Sequence, residues 1–186
     1  MRVEKLRKAF AIDIAYRHFP LHPDTPEAGL TLEELFAGRN IDIPAAQARM
    51  SRLMTEEGLP YGTRTTTYNS RLAQELAKFS ETQPGGEKIH DALFQAYFVD
   101  NVNLAKIENL VTISEQIGLP TDKVISVLED RRYREAVDAD WQRSRELGVT
   151  GVPTFVIWNQ CLVGAQPYEQ LGEFVTSTGA VRREGD

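Results

Sequence analysis

Cysteine is nearly absent from this chain, since Cys161 is the single cysteine among 186 residues. One cysteine forms no internal disulfide, and it cannot supply the several thiolates of a structural zinc site. Histidine is also scarce, and His18 and His22 are spaced like a helical metal pair. Pro20 and Pro23 exclude a helix there, so the two side chains do not face one metal in that way. The sequence therefore predicts neither a disulfide framework nor a metal site.

Long apolar runs and clusters of basic residues are missing as well. No stretch approaches the ~20 apolar residues that a membrane-spanning helix needs, and no apolar segment of the secretory-signal type follows the basic residues 2–8. The 21 basic and 27 acidic residues give a net charge of −6, which disfavours binding to a phosphate backbone. We expect a soluble, cytoplasmic protein that binds neither nucleic acid nor membranes.

The most informative segment that is present runs from Gly148 to Trp158, with the sequence GVTGVPTFVIW. Proline has no N–H for a strand ladder, so Pro153 suits the first position of a strand. A tight entry of this kind also favours a cis X-Pro bond. A cis Val152–Pro153 bond would turn the backbone of Val152 outward, towards an extended ligand. The simpler alternative is a trans proline that begins an edge strand.

Apolar spacing predicts helices at both ends of the chain and a long helical block between them. The block begins with a capping box at Thr31 and Glu34, and Pro44 suits the first turn of its next helix. The main predicted elements are a helix over 2–10, a strand over 12–19, helices over 105–117 and 121–129, strands over 154–158 and 161–164, and a helix from Pro167. This order favours one α/β layer interrupted by a helical insertion.

Four sequence pieces resemble a known family when they are taken in order: RHFPLHPD over 17–24, NSRLA over 69–73, GVPTF over 151–155 and VGAQP over 163–167. The chain resembles the DsbA family, most closely its FrnE-like branch, which is related to 2-hydroxychromene-2-carboxylate isomerases and kappa-class glutathione transferases. The resemblance implies an α/β, thioredoxin-like fold with a large all-helical insertion. The expected domains are an incomplete thioredoxin-like domain over 1–30 and 148–178, the insertion over 31–147 and a polar tail over 179–186.

The resemblance also implies where the chemistry of the family belongs. Its members use a Cys-x-x-Cys, or a serine in the isomerases, at the N-terminus of the first helix, where the helix dipole lowers the thiol pKa. Residues 2–10 resemble the back half of that helix, so the nucleophile and the first strand are expected to be absent from this chain. That strand would lie between 12–19 and 154–158. Either a strand from a second copy of the chain or direct pairing of the two remaining strands would fill the gap, and the first option implies a homodimer.

The candidate site follows from the same comparison. No catalytic residue is assigned, and Cys161 is interpreted as a small buried hydrophobic residue. His90 is interpreted as a structural residue. Asn69 is either a helix cap or a glutathione contact, and Gln166 either binds substrate or faces solvent. The residues expected to bind substrate are Thr150, Gly151, Val152, Pro153, Gln166 and Asn69.

Three functions remain open at the level of sequence. The first is a thiol–disulfide oxidoreductase that acts on a disulfide-containing peptide or protein, with this chain redox-inactive as given. The second is a glutathione-dependent isomerase or transferase that acts on a small-molecule thiol. The third is a non-catalytic protein that binds peptides or another subunit. Whether the chain is an enzyme stays open, and no cofactor is expected except glutathione under the second function.

Overall fold

The computed structural model of the protein describes residues 2–183. Their helices and strands are, in chain order, α1 (Arg2–Ala9), β1 (Leu30–Thr31), α2 (Leu32–Leu35), α3 (Ile43–Glu56), β2 (Thr66–Thr67), α4 (Arg71–Ser80), α5 (Ile89–Phe98), α6 (Ile107–Gln116), α7 (Thr121–Glu129), α8 (Arg134–Glu146), β3 (Thr154–Ile157), β4 (Gln160–Val163) and α9 (Tyr168–Ser177). Within 2–183, no helix combines the length and the apolar character that a membrane crossing requires.

The chain divides into two compact units. The terminal unit consists of Met1–Leu21 and Ala139–Asp186, and the central unit consists of His22–Asp138. The sequence prediction placed its domain boundaries after residues 30 and 147, so each unit boundary lies earlier in the chain than its predicted counterpart. A compact unit is defined by contacts and a domain by independent folding, so the domain assignment stays a prediction.

The terminal unit packs one face of a hairpin on two helices. Leu6 of α1, Phe10, and Leu171 and Val175 of α9 form its buried core, and Phe10 is fully buried. The hairpin adds the side chains Phe155, Ile157 and Leu162 to this core. Burying each large apolar side chain contributes about 1.5–3 kcal/mol, so this cluster orients the hairpin on the helices.

Strands β3 and β4 pair in antiparallel register, with Thr154 opposite Val163 and Ile157 opposite Gln160. The two-residue loop consists of Trp158 and Asn159, one residue earlier than the predicted turn at Asn159 and Gln160. Trp158 adopts φ = +58°, as the first position of a tight hairpin turn requires. The predicted hairpin is confirmed, and its register is set by the turn geometry.

The predicted strand over 12–19 is wrong. Residues 11–20 have no regular secondary structure, although their apolar and polar residues alternate. A strand exists only where a neighbour accepts its ladder of hydrogen bonds, and no strand among the described residues lies beside this segment. The amide of His18 donates instead to the Asp140 carboxylate at 3.1 Å.

The described part of the predicted polar tail lies against the end of α1. Phe10 forms an isolated antiparallel bridge with Arg182, and the amide of Ala11 donates to the carbonyl of Val181 at 2.8 Å. The Arg182 guanidinium lies over the Phe10 ring at 5.3 Å. Residues 184–186 lie outside the described part of the chain.

The central unit is a helical cluster whose core is formed mainly by α4, α5, α6 and α7. Helices α6 and α7 lie close to their predicted bounds, which confirms those predictions. Thr31 and Glu34 form the predicted capping box, and Pro44 occupies the first turn of α3. The fully buried apolar side chains of this core are Leu76, Ile89, Leu110, Val124 and Leu128.

A short strand pair was missed by the sequence prediction. Thr66 and Thr67 pair as β2 with Leu30 and Thr31 of β1 in antiparallel register, and neither segment is among the predicted strands. Two residues are too few to show an alternating pattern, so only the partner reveals the strand. The buried hydroxyl of Thr67 forms a hydrogen bond of 2.8 Å with the hydroxyl of Tyr97.

A buried carboxylate in α4 ties the helices of the central unit together. The side chain of Glu75 is 1% exposed and accepts hydrogen bonds from two guanidinium groups. Arg71 donates to it at 2.8 Å, and Arg131 donates to both of its oxygens at 2.7 and 2.8 Å. Burial alone would raise the pKa of Glu75, but the bonds from Arg131 and Arg71 outweigh it and hold the pKa below its ordinary value of 4.5.

We expect Glu75→Gln to destabilise the protein by about 3 kcal/mol, because it leaves two guanidinium groups without their buried partner. Urea unfolding measures this change. Glu108→Gln is the matched control, since Glu108 makes only an exposed contact of 3.9 Å with Lys106. The control is expected to cost less than about 1 kcal/mol. Equal losses in the two variants would show that the buried network contributes nothing particular.

The lowered pKa of Glu75 also predicts a pH dependence. A carboxylate whose folded-state pKa lies below its unfolded value stabilises the protein at pH above that unfolded value, and this stabilisation is lost as pH falls through the folded value. Glu75→Gln lacks this contribution. The difference in unfolding free energy between the two proteins should therefore be constant near pH 7 and narrow below about pH 4.5. A difference that stays constant down to pH 3 would contradict the assignment.

Candidate functional site

The loop that precedes β3 exposes two predicted site residues, Thr150 and Val152, whose backbone groups have no hydrogen-bond partner among residues 2–183. The Val152–Pro153 peptide bond is cis, which confirms the prediction. The Val152 side chain is 50% exposed. Within residues 2–183, neither the N–H nor the C=O of Val152 has a hydrogen-bond partner. The loop therefore offers one donor and one acceptor at an exposed apolar position.

Hydrogen bonds on both sides of Val152 hold the loop in place. The hydroxyl of Thr154 donates to the carbonyl of Gly151 at 2.7 Å. The carbonyl of Pro153 accepts the amide of Gly164 at 2.8 Å, which extends the pairing of β3 with β4 by one bond. On the N-terminal side, the amide of Val149 donates to the carbonyl of Ser144 at the end of α8. The free groups of Val152 thus lie between two fixed anchors.

The loop between β4 and α9 contains Gln166, the other predicted site residue of the terminal unit. Its side-chain amide donates to the carbonyl of Val163 at 2.6 Å, so the side chain folds back on its own loop. Arg2 of α1 donates to the carbonyls of Ala165 at 3.1 Å and Gln166 at 2.8 Å. Arg2 was not predicted, because nothing in the sequence links it to a loop 163 residues later.

Asn69, the remaining predicted site residue, belongs to the central unit. Its side-chain oxygen accepts the amide of Arg71 at 2.9 Å, as a residue at the start of α4 can. Its side-chain nitrogen donates to the carbonyls of Pro23 at 3.0 Å and Thr25 at 2.8 Å. Both N–H groups of the amide are therefore engaged within the protein. These contacts give Asn69 a structural role, and its contact with a ligand stays a prediction.

The structure corrects the interpretation of Cys161. This residue was expected to be buried, but it is exposed on β4, opposite Val156. The hairpin packs on the core through its Phe155 and Leu162 face, and side chains alternate along a strand, so Cys161 faces the other way. Sequence periodicity over four residues does not say which face is covered.

The histidines were not assigned to the candidate site from the sequence. Among residues 2–183, no group of three His, Cys, Asp or Glu side chains could hold a metal ion. His90 is half-buried, and its burial lowers the pKa of the imidazole. The unpaired N–H and C=O of Val152 can pair with an extended backbone. The only thiol among the 186 residues is that of Cys161.

Comparison with known proteins bears on the family and the fold of the chain. The family model described as "DSBA-like thioredoxin domain" matches residues 1–176. A probable DsbA oxidoreductase from Streptomyces coelicolor superimposes with a TM-score of 0.86 at 28% identity, over 96% of this chain and 82% of that chain. This likeness confirms the predicted thioredoxin-like fold with its large helical part.

Two further proteins are similar to this chain. A 2-hydroxychromene-2-carboxylate isomerase shares the fold with a TM-score of 0.71 at 19% identity, over 96% of this chain and 85% of that chain. The uncharacterized protein YwbO of Bacillus subtilis is 30% identical over 95 residues, which cover 50% of this chain and 48% of that protein. The match thus spans about half the length of this relative. With the family model covering nearly the whole sequence, the chain belongs to the DSBA-like thioredoxin domain family.

Proposed function

We propose that this chain binds the substrate of a DsbA-like thiol–disulfide oxidoreductase and that Val152 is the residue that holds it. The observation that carries the proposal is the exposed backbone of Val152, whose N–H and C=O have no partner within residues 2–183. The substrate class is an extended peptide segment that contains a disulfide. The family of the chain supports this class.

The physical basis of binding is β-strand addition. An extended peptide pairs with a single exposed residue of the protein through two hydrogen bonds. A peptide N–H donates to the carbonyl of that residue, and a peptide carbonyl accepts its N–H. Each such bond contributes about 0.5–1.5 kcal/mol net. The anchors at Gly151 and Pro153 fix the loop before binding, so little conformational entropy is lost at the protein side.

Turnover places a different demand on the chain. A thiolate attacks one sulfur of the substrate disulfide, forms a mixed disulfide and releases the other sulfur as a thiolate; a second cysteine then attacks the mixed disulfide. This exchange needs two cysteines, and the 186 residues contain one. The proposal therefore assigns binding, and not turnover, to these residues.

We expect the 186-residue chain to leave the rate of insulin reduction by dithiothreitol unchanged. The physical reason is that the 186 residues contain no Cys-x-x-Cys, and that the single cysteine lies on strand β4 and not at a helix N-terminus, where a thiol is activated. The matched variant is Cys161→Ser, which removes the only thiol and should behave identically. An acceleration by the natural chain that Cys161→Ser lacks would contradict the prediction and would make Cys161 a redox residue.

The binding mode itself is tested with a heptapeptide whose central cysteine is capped as a methyl disulfide. Its amide nitrogens are methylated one at a time, and affinity for the chain is measured by calorimetry. Since Val152 has one carbonyl, we expect methylation to weaken binding by about 2- to 12-fold at one position, with small effects at its neighbours. The variant Val152→Ala keeps the backbone N–H and C=O of residue 152. Methylation should therefore weaken binding to this variant at the same peptide position. Uniform losses along the peptide would contradict pairing with Val152.

A glutathione-dependent isomerase on the same fold predicts a different result. That function requires a tight glutathione site, and Asn69 is expected either to cap a helix or to contact glutathione there. The nitrogen of Asn69 already donates to the carbonyls of Pro23 and Thr25, so a further bond from it would have to replace one of these. Calorimetry with glutathione separates the two functions, because strand addition of a capped peptide needs no tight glutathione site.

A further inference from the structure

One edge of strand β3 is unpaired. The carbonyl of Pro153 accepts the amide of Gly164 on the β4 side, and the direction of hydrogen bonding alternates along a strand. The backbone groups of Thr154 and Val156 therefore point away from β4. Within residues 2–183, the N–H and C=O of these two residues have no hydrogen-bond partner. The chain thus presents four unpaired backbone groups along one edge.

Strand β3 also lacks the features that protect a free edge. Natural proteins protect such edges with charged side chains, prolines or bulges. The sequence of β3, TFVI, contains no charge and no proline, its register with β4 is regular, and all four residues are half-buried. Unpaired backbone groups that are shielded from water cost free energy. This edge is therefore suited to a further strand.

The outer edge of β4 is different. On that edge the carbonyl of Val163 accepts the side-chain amide of Gln166 at 2.6 Å. Gln160, Cys161 and Val163 are exposed, so water can satisfy the other backbone groups of this edge. Of the two edges of the hairpin, the half-buried edge of β3 is the one that lacks a partner.

The segment of the chain that was expected beside β3 does not occupy this edge. Direct pairing of residues 12–19 with 154–158 was one of the two expected ways to fill the gap. Residues 12–19 have no regular secondary structure, and the amide of His18 donates to the Asp140 carboxylate instead. Among the described residues, no segment pairs with the free edge of β3. The other expected partner is a second copy of the chain.

A second copy of β3 fits this edge in an antiparallel register centred on Phe155. Thr154 of each copy then lies opposite Val156 of the other, so the four unpaired groups of both copies bond to one another. The two Phe155 side chains lie opposite each other on the face that packs on the core, at the close spacing of a non-hydrogen-bonded pair. No like charges meet, because β3 carries none.

Two exposed apolar residues of the same hairpin support a second copy as the partner. Val152 is 50% exposed and Trp158 is 81% exposed. Each lies three residues from Phe155, so this register brings Val152 of one copy level with Trp158 of the other at both ends of the pairing. Exposed apolar positions that meet in one symmetric register indicate a self-complementary surface.

We propose that two copies of this chain pair along their β3 edges in this register and form a four-stranded sheet in the order β4–β3–β3–β4. The paired groups belong to Thr154 and Val156, so the backbone of Val152 stays unpaired. The inference therefore does not rest on substrate binding at Val152. The interface is isologous, with the same residues contributed from both copies.

Analytical ultracentrifugation of the natural chain in reducing buffer is the first test, and a dimer is expected. Val156→Pro removes an N–H that has no partner within the chain, so we expect this variant to fold and to dimerise about tenfold or more weakly. Val163→Pro is the matched control, because it removes an outward N–H of β4, and it should remain a dimer. A natural chain that stays monomeric, or equal weakening in both variants, would overturn the proposal.

A distance measurement on the natural chain decides the question even if Val156→Pro does not fold. Cys161 is the single cysteine, is exposed and lies opposite Val156, so one nitroxide label on each chain reports the arrangement of the strands. With strands about 4.8 Å apart and a rise of about 3.3 Å per residue, the two Cys161 Cα atoms lie on the order of 16 Å apart. Dipolar EPR should therefore give a label separation below about 30 Å. A longer separation, or no dipolar coupling, would contradict this pairing.

Discussion

The carbonyl of Pro153 accepts the amide of Gly164 at 2.8 Å, and the candidate site depends on this bond. It extends the β3–β4 ladder to the residue next to Val152 and stops there. The Thr154 hydroxyl holds the other side of the loop through the carbonyl of Gly151. Val152 is thereby fixed in position with its own N–H and C=O unused. An anchored loop with an unpaired N–H and C=O at an exposed residue is suited to strand addition.

The same requirement for backbone partners explains which elements could be predicted from the sequence. Helices make their hydrogen bonds locally, so apolar spacing and caps were enough to predict α6 and α7 and the start of α2. The β3–β4 hairpin is also local, and the Val-Pro step marked its beginning. The segment 12–19 has the alternating pattern of a strand. A strand also needs a partner that lies far away in the sequence, and the residues of the segment do not show whether that partner exists. For the same reason β1 and β2 were missed.

The candidate site shows the same division. The cis bond before Pro153 could be predicted mainly because the loop resembles that of a known family, whereas proline chemistry alone predicts only the start of a strand. The bonds of Arg2 to the 165–166 loop could not, since they join distant parts of the chain. The exposure of Cys161 and the occupied amide of Asn69 also depend on tertiary contacts. Residue type alone does not distinguish a side chain with free hydrogen-bonding groups from one already engaged.

The buried charge of the central unit is satisfied within the chain. Glu75 is buried, and the bonds from Arg71 and Arg131 satisfy both of its oxygens. A buried charge with all of its hydrogen bonds made stabilises one arrangement of the surrounding segments. This network is therefore structural.

The most direct test of the central claim is amide hydrogen exchange at Val152, measured by NMR with and without the capped heptapeptide. Strand addition predicts that the Val152 amide exchanges readily in the free protein and becomes protected when the peptide binds, since the peptide carbonyl accepts it. The Gly164 amide, already bonded to Pro153, serves as the internal reference. Peptide binding that leaves the exchange rate of Val152 unchanged would contradict the account.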